Sequence, residues 1–344
     1  MPEALKNKKE VQQSRYNDVV GIELGGPMLR LVRLRRKNDQ AEVIEIGELP
    51  PVNLPQYETA PVLAELRVPK QFAASYAAFA IGHPQTAMRM ISLRKAPEED
   101  EEVALAELFG ASPPPDHRAA FARVGGEFER EEKLYVAAGL PDYLAVAVAN
   151  LLPEARRPAP ASLQLSEVAR LNAFAMGPAR RLAEGGVIYM QIDESDSTVS
   201  IFNRGRLIAQ RQFPVGNGAI VAQVAQQFGL SNTLAEELLN ENQIDPSNII
   251  NPVLEPLFRQ ISMSTDFVAR RDDCHLRRIF LAGRFAGTRH WMQMAESALG
   301  VEAEIWMPFD DHPQRVRAMP KALIGREFDF TIALGAALAL MGGA

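Results

Sequence analysis

The chain has 344 residues, 47% of them hydrophobic, 23% charged and 7% aromatic, with a net charge of −6 and a single cysteine, Cys274. That composition suits a globular protein with room for two cores, and its acidic balance argues against nonspecific binding to nucleic acid. One cysteine excludes an internal disulfide and a multi-cysteine metal site, and points to a reducing compartment.

The first stretch, MPEALKNKKEVQQSR, is polar and lacks the apolar core of a secretory signal, so residues 1–17 are expected to be a flexible basic tail. Next, VVGIELGGPMLRLVRL places a buried-type strand at Val19 to Leu24, a Gly25-Gly26-Pro27 reversal and a returning strand near Met28 to Arg35. A polar turn at Asn38 and Asp39 leads into a third strand around Glu42 to Leu49. The block that follows has another character. SYAAFAIG, TAMRMISLRK and KLYVAAGL look like strands, whereas PEEDEEVALAELFG and PDYLAVAVANLL look like helices, the first with an acidic opening turn from Glu98 to Glu102.

The opening design then recurs. GVIYMQIDESDSTVSIFNRGRLIAQRQFPVG predicts strands at Val187 to Ile192, Ser197 to Phe202 and Arg206 to Phe213, and Val187 lies 168 residues after Val19. Helices follow: NGAIVAQVAQQF closed by Gly229, LAEELLNEN with a capping box of Thr233 and Glu236, and Pro252 to Arg270 with Val253, Leu257, Ile261 and Phe267 or Val268 on one face. RRIFLAG gives a short strand at Ile279 to Ala282, TRHWMQMAESALG a helix, VEAEIW a strand, and FTIALGAALALM a closing helix of small residues. The run from Thr331 to Ala344 is too short to cross a bilayer, so a cytoplasmic protein is expected.

This order of pieces resembles the actin-like ATPase superfamily, and within it the PilM family of type IV pilus assembly, related to FtsA. VVGIELGGPMLRLVRL stands at the family's first phosphate motif and YMQIDESDSTVSIF at the second. FPVGNGAIVAQVAQQFGLSNTLAEELL matches its glycine pair, helix and Ala-Glu stretch, IFLAGRFAG its adenosine motif, and FTIALGAALAL its last helix. The resemblance implies an α/β fold of duplicated actin-like (ribonuclease H-like) lobes with an α+β insert subdomain. The first lobe would begin at 18–74, the insert occupy 75–165, a return helix 166–185, the second lobe 186–330 and the closing helix 331–344. It implies ATP with magnesium at family positions Glu23, Gly25, Gly26, Arg30, Gln191, Asp193, Gly216, Glu236 and Gly283.

Several of those positions depart from the family pattern. Glu23 replaces an aspartate, Gly26, Pro27 and Met28 replace hydroxyl residues, and Arg30 replaces a lysine. In the second motif Gln191 stands for an aspartate and Asp193 for a glycine, so that Asp193, Glu194 and Asp196 crowd one turn. The glycine pairs become Gly216 with Asn217 and Gly283 with Arg284, and Leu239 replaces a lysine that faces the nucleoside. Phosphate hairpins work through bare N–H groups and a magnesium-organising carboxylate, and these changes imply a degenerate nucleotide cleft with no catalytic residue.

The five histidines stand apart and suggest no metal site. By resemblance the chain is a cytoplasmic scaffold of a pilus assembly platform. It would be held at the inner membrane by the cytosolic tail of a bitopic PilN-like partner, entering a groove between the first lobe and the insert, with other pilus assembly proteins as further partners. Two alternatives stay open: an FtsA-like division or type II secretion platform protein, and an ATP-dependent small-molecule kinase with Asp193 or Asp196 as base.

Overall fold

The computed structural model describes residues 16–38, 40–58, 63–110, 116–125, 131–152, 157–182, 184–241, 247–283, 289–312 and 318–342. The expected basic tail, Asp39 of the first polar turn and Arg284 of the adenosine motif lie outside them, apart from the tail's last two residues.

The chain opens with a meander of β1 (Asp18–Leu24), β2 (Leu29–Lys37) and β3 (Gln40–Leu49), antiparallel throughout. Two later strands, β4 (Tyr76–Ile81) and β8 (Ala159–Leu165), extend the same sheet in parallel, giving the order β3-β2-β1-β4-β8. Between them run β5 (Ala87–Leu93), α1 (Glu101–Phe109), β6 (His117–Val124), β7 (Lys133–Pro141) and α2 (Asp142–Ala149). These three strands form their own sheet, β5-β7-β6. The expected insert of 75–165 is thereby corrected: its first and last strands belong to the first lobe's sheet. For β4 burial explains the misplacement, since it is covered on both faces and reads as a short apolar run without alternation, whichever sheet it joins, whereas β8, APASLQL, is mostly half-buried and escaped the sequence reading. β6 escaped the sequence reading because its pattern, HRAAFARV, is mostly exposed alanine and arginine.

After α3 (Ser166–Phe174) the design repeats. A meander of β9 (Gly186–Ile192), β10 (Ser197–Asn203) and β11 (Arg206–Phe213) is joined in parallel by β12 (Leu276–Ala282) and β13 (Glu302–Ile305), in the order β11-β10-β9-β12-β13. Each strand of the first sheet has a counterpart of the same direction, and β1 and β9 begin 168 residues apart, at Asp18 and Gly186. Around the second sheet pack α4 (Asn217–Phe228), α5 (Asn232–Asn240), α6 (Ser247–Asp272) and α7 (Arg289–Leu299).

Two helix expectations need adjustment. The cap of α5 is Ser231, whose Oγ accepts from the Leu234 N–H at 3.3 Å, rather than Thr233. The long helix α6 starts ahead of both Pro252 and Pro256; both rings are exposed, so the carbonyls they leave unpaired face water. Its buried face takes Leu257, Ile261 and Val268, leaving Phe267 53% exposed.

The last helix, α8 (Thr331–Gly342), returns to the first lobe and lies across β1 and α3 at very short range. A Cβ added at Gly21 would sit 1.8 Å from the Ala333 carbonyl oxygen, and one at Gly335 1.8 Å from that of Ala169. Only glycine admits this approach, and the alanines around it bury the resulting seam. Gly21→Ala and Gly335→Ala should each destabilise the fold by about 3 kcal/mol or more. Chemical denaturation reads this directly; a loss within error of zero would contradict the seam.

Candidate functional site

The two lobes bring their equivalent strand ends together at one cleft. On the first-lobe side Glu23, the penultimate residue of β1, pairs across the strands with Arg30 of β2, whose Nη1 lies 3.4 Å from Glu23 Oε1. Arg30 also reaches Glu48 at 3.4 Å and Asp329 at 3.6 Å, and Arg326 bridges the same two acids at 2.7 and 2.9 Å. Glu23 is 5% exposed, and among the described residues its Oε2 has no hydrogen-bond partner. Burial pushes its carboxyl up from 4.5 to about 7, with Arg30 and then Arg170 opposing the shift. Gly25 makes the reversal at φ +92°, where an added Cβ would meet the Gly82 carbonyl oxygen at 1.9 Å. Gly26 lies over the Glu23–Arg30 pair.

On the second-lobe side Gln191 holds the position equivalent to Glu23, 168 residues on, and Asp193 begins the turn that follows. The Tyr189 hydroxyl donates to Gln191 Oε1 and Gln191 Nε2 donates to Asp193 Oδ1, both at 2.9 Å. The other Asp193 oxygen accepts from Arg170 Nη1 at 3.0 Å. Gly216 caps α4 against this turn: the Asn217 N–H donates to the Asp193 carbonyl at 2.9 Å and the Gly218 N–H to that of Glu194 at 2.8 Å. Gly283, at φ +114°, approaches the Ile192 carbonyl and the Gln191 amide from the end of β12.

The structure therefore gathers Glu23, Gly25, Gly26 and Arg30 on one wall, and Gln191, Asp193, Gly216 and Gly283 on the other. Glu236 sits apart on α5, half-buried. Arg170, which joins the walls, was missed by sequence reasoning, as were Glu48 and Asp329. The available signal was one arginine in SEVARLNAF, a helix otherwise made of small, apolar and polar residues besides Glu167, but nothing local says where that arginine reaches. Burial opposes the Arg170 charge, yet Asp193, Tyr189 and Glu167 more than compensate and raise its pKa. Among the described residues, no cluster of three or more His, Cys, Asp or Glu is placed to hold a metal.

A second concavity, of about 610 Å³, opens where the insert meets α3 and the second lobe. Its walls include Arg123 and Val124 of β6, Val136 of β7, Leu171 of α3, and Phe202 and Leu207 of the second meander. The opposite side of the insert junction is already filled by the chain itself: Val52, Leu54, Leu63, Leu66 and Val68 pack on the cluster containing Leu144 and Val148 of α2.

Residues 172–341 match the family profile described as type IV pilus assembly protein PilM. A solved structure described as a PilM-PilN type IV pilus biogenesis complex aligns over 94% of this chain and 98% of that one, at 19% identity and a TM-score of 0.65. Over residues 172–341 the chain is similar to the PilM family. The PilM-like chain has the actin-like fold, and the duplicated sheets are its two lobes. More remote are a Bacteroides thetaiotaomicron protein with an actin-like ATPase fold, at TM-score 0.45, 11% identity and coverage of 85% and 92%, and the archaeal actin homolog Ta0583, at 0.44, 11%, 95% and 100%. No curated protein sequence matches the chain. Among the described residues no helix of this PilM-like chain is long and apolar enough to cross a membrane.

The buried Glu23 carboxyl gives a signed pH dependence. Its folded pKa of about 7 lies above the ordinary 4.5, so the native state keeps the proton to higher pH than the unfolded chain. The contribution is complete below about pH 4.5 and is lost as pH rises through about 7, a change of about 3 kcal/mol. Melting temperatures of the wild type should therefore fall, relative to Glu23→Gln, between pH 5 and pH 8. Parallel profiles for the two proteins would refute the assignment.

Proposed function

We propose that this chain is a cytoplasmic assembly scaffold of a type IV pilus platform, held at the inner membrane by the cytosolic tail of a bitopic PilN-like partner. The concavity under β6 carries the docking half of this reading. It lies where the insert meets the first lobe's α3 and the second lobe's β10–β11 turn, is walled by Val124, Val136, Leu171, Phe202 and Leu207, and presents Arg123 and Arg206 at its edge. An extended segment would supply apolar anchors to those walls and main-chain hydrogen bonds to the adjoining backbone, the chemistry of short-peptide capture. The likeness to a PilM held in a PilM-PilN complex supports the class of partner.

The nucleotide cleft, in the same reading, is degenerate. A phosphate entering it would meet the Glu23 and Asp193 carboxylates, and the α4 N–H groups best placed to receive an anion already donate to the Asp193 and Glu194 carbonyls. Both Asp193 oxygens are engaged, by Arg170 and Gln191, which leaves that carboxylate ill suited either to orient a hydrated magnesium or to act as a kinase base. The residues present therefore do not fit ATP with magnesium.

Two measurements test the proposal. Titration calorimetry with the N-terminal cytosolic peptide of a PilN-like protein encoded beside this chain should give one-to-one binding, weakened at least tenfold by Val124→Glu; no heat with any such peptide removes the docking role. A fluorescent ATP analogue should show no saturable binding at micromolar concentration, with or without magnesium. Saturation would overturn the degenerate cleft while leaving peptide docking standing.

A further inference from the structure

The helix α3 presents three different faces, spaced as a helix requires. Ala169 meets Gly335 of α8, which fixes the helix to the first lobe. Val168, Leu171, Asn172 and Ala175, at the i, i+3, i+4 and i+7 positions, line the cavity under the insert. Arg170 and Phe174 look toward the second lobe, where Phe174 stacks on Tyr189 at 4.6 Å and packs edge-on or tilted against Phe202, Phe280 and Trp306.

We propose that the Arg170–Asp193 ion pair is a latch between the lobes which, by holding the second lobe against the insert, sets the width of the cavity on the other side of α3. Its functional meaning rests on the docking reading of that cavity. Three observations carry it. The pair is the charged contact that spans the cleft from α3 to the turn after β9, with N–O separation 3.0 Å and the Arg170 side chain only 21% exposed. Asp193 is held in place from behind by the Tyr189–Gln191 relay, so the arginine grips a rigid target. The cavity wall opposite the insert belongs to the same second lobe: Gly205, Arg206 and Leu207 form it, and the Gly125 N–H reaches the Leu207 carbonyl at 2.8 Å.

The other contacts this helix makes with the second lobe are apolar: the rings around Phe174, with Leu171 and Ala173 in the same buried cluster. Apolar packing of that kind is nondirectional and tolerates small rotations, whereas an ion pair made by a planar guanidinium fixes distance and orientation together. Breaking the pair leaves the aromatic cluster as a pivot. The Gly205–Leu207 wall then keeps the Gly125–Leu207 hydrogen bond as its tie to the insert and turns about it, and the cavity changes width.

The test needs no ligand. Nitroxide labels at Glu102→Cys on α1 and Gln227→Cys on α4, both exposed, report the separation of the insert from the second lobe by pulsed electron resonance. The native Cys274 is buried with its thiol pushed up to about 11, and stays unlabelled. The latched protein should give one narrow distance distribution. Arg170→Ala should displace or broaden it by more than its original width, as should the near-isosteric Asp193→Asn, which decides the matter if the alanine variant does not fold. The charge exchange Arg170→Asp with Asp193→Arg should restore the narrow distribution in part. Unchanged distributions in the folded single variants overturn the latch. Because peptide affinity is measured separately by calorimetry, a failure of docking leaves this result readable on its own.

Discussion

The position of α3 is the constraint on which both lobes depend. One face is locked to α8 by a backbone approach that only Gly335 permits, and another carries Phe174 into a nest of four aromatic rings on the second sheet. A helix pinned on both sides becomes the common reference for the two sheets. The equivalent ends of β1 and β9 face each other across the cleft because this strut holds them there.

That geometry gives the molecule two concave regions of different chemical character. The cleft is rich in charge, but its charges are spent on one another: Arg30 among Glu23, Glu48 and Asp329, and Arg170 on Asp193. Buried ion pairs of this kind lose much of their Coulomb attraction to desolvation, so they specify an arrangement more than they stabilise it. Glu23 shows the limit of the arrangement, with one oxygen at the edge of the Arg30 network and the other unpartnered among the described residues. The cavity under the insert differs in kind, with Val124, Val136, Leu171, Phe202 and Leu207 among polar backbone and Asn172, and exposed arginines at its edge. A surface built to take up another chain needs that character, whereas a surface built to bind phosphate needs free N–H donors, which the cap of α4 has already used.

Much of the duplicated design was legible because strand periodicity is local. The two meanders, their turns and the separation between them follow from alternation, glycine and short polar runs. Departures occurred where local pattern and tertiary placement part. The apolar run at Tyr76–Ile81 is the same sequence whether it edges an insert or sits beside β1 in the first sheet. The strand His117–Val124 shows too little apolar surface to announce itself. At Ser231 and Thr233, two plausible caps stand within three residues, and only the donor geometry distinguishes them.

The amino-acid sequence by itself determined the strands of the two meanders and most of the helices, the repeat of one lobe by the other, and the replacement of cleft residues at Glu23, Arg30, Gln191 and Asp193. Those features depend on residue type and spacing along the chain. The tertiary structure alone decided that Arg170 reaches Asp193, that the Asn217 and Gly218 N–H groups at the start of α4 donate to the Asp193 and Glu194 carbonyls, and that the insert, α3 and the second lobe enclose a cavity. Each of these joins residues from separate elements, and the contacts exist only after α8 has been laid into the glycine seam and α3 has been fixed between the sheets.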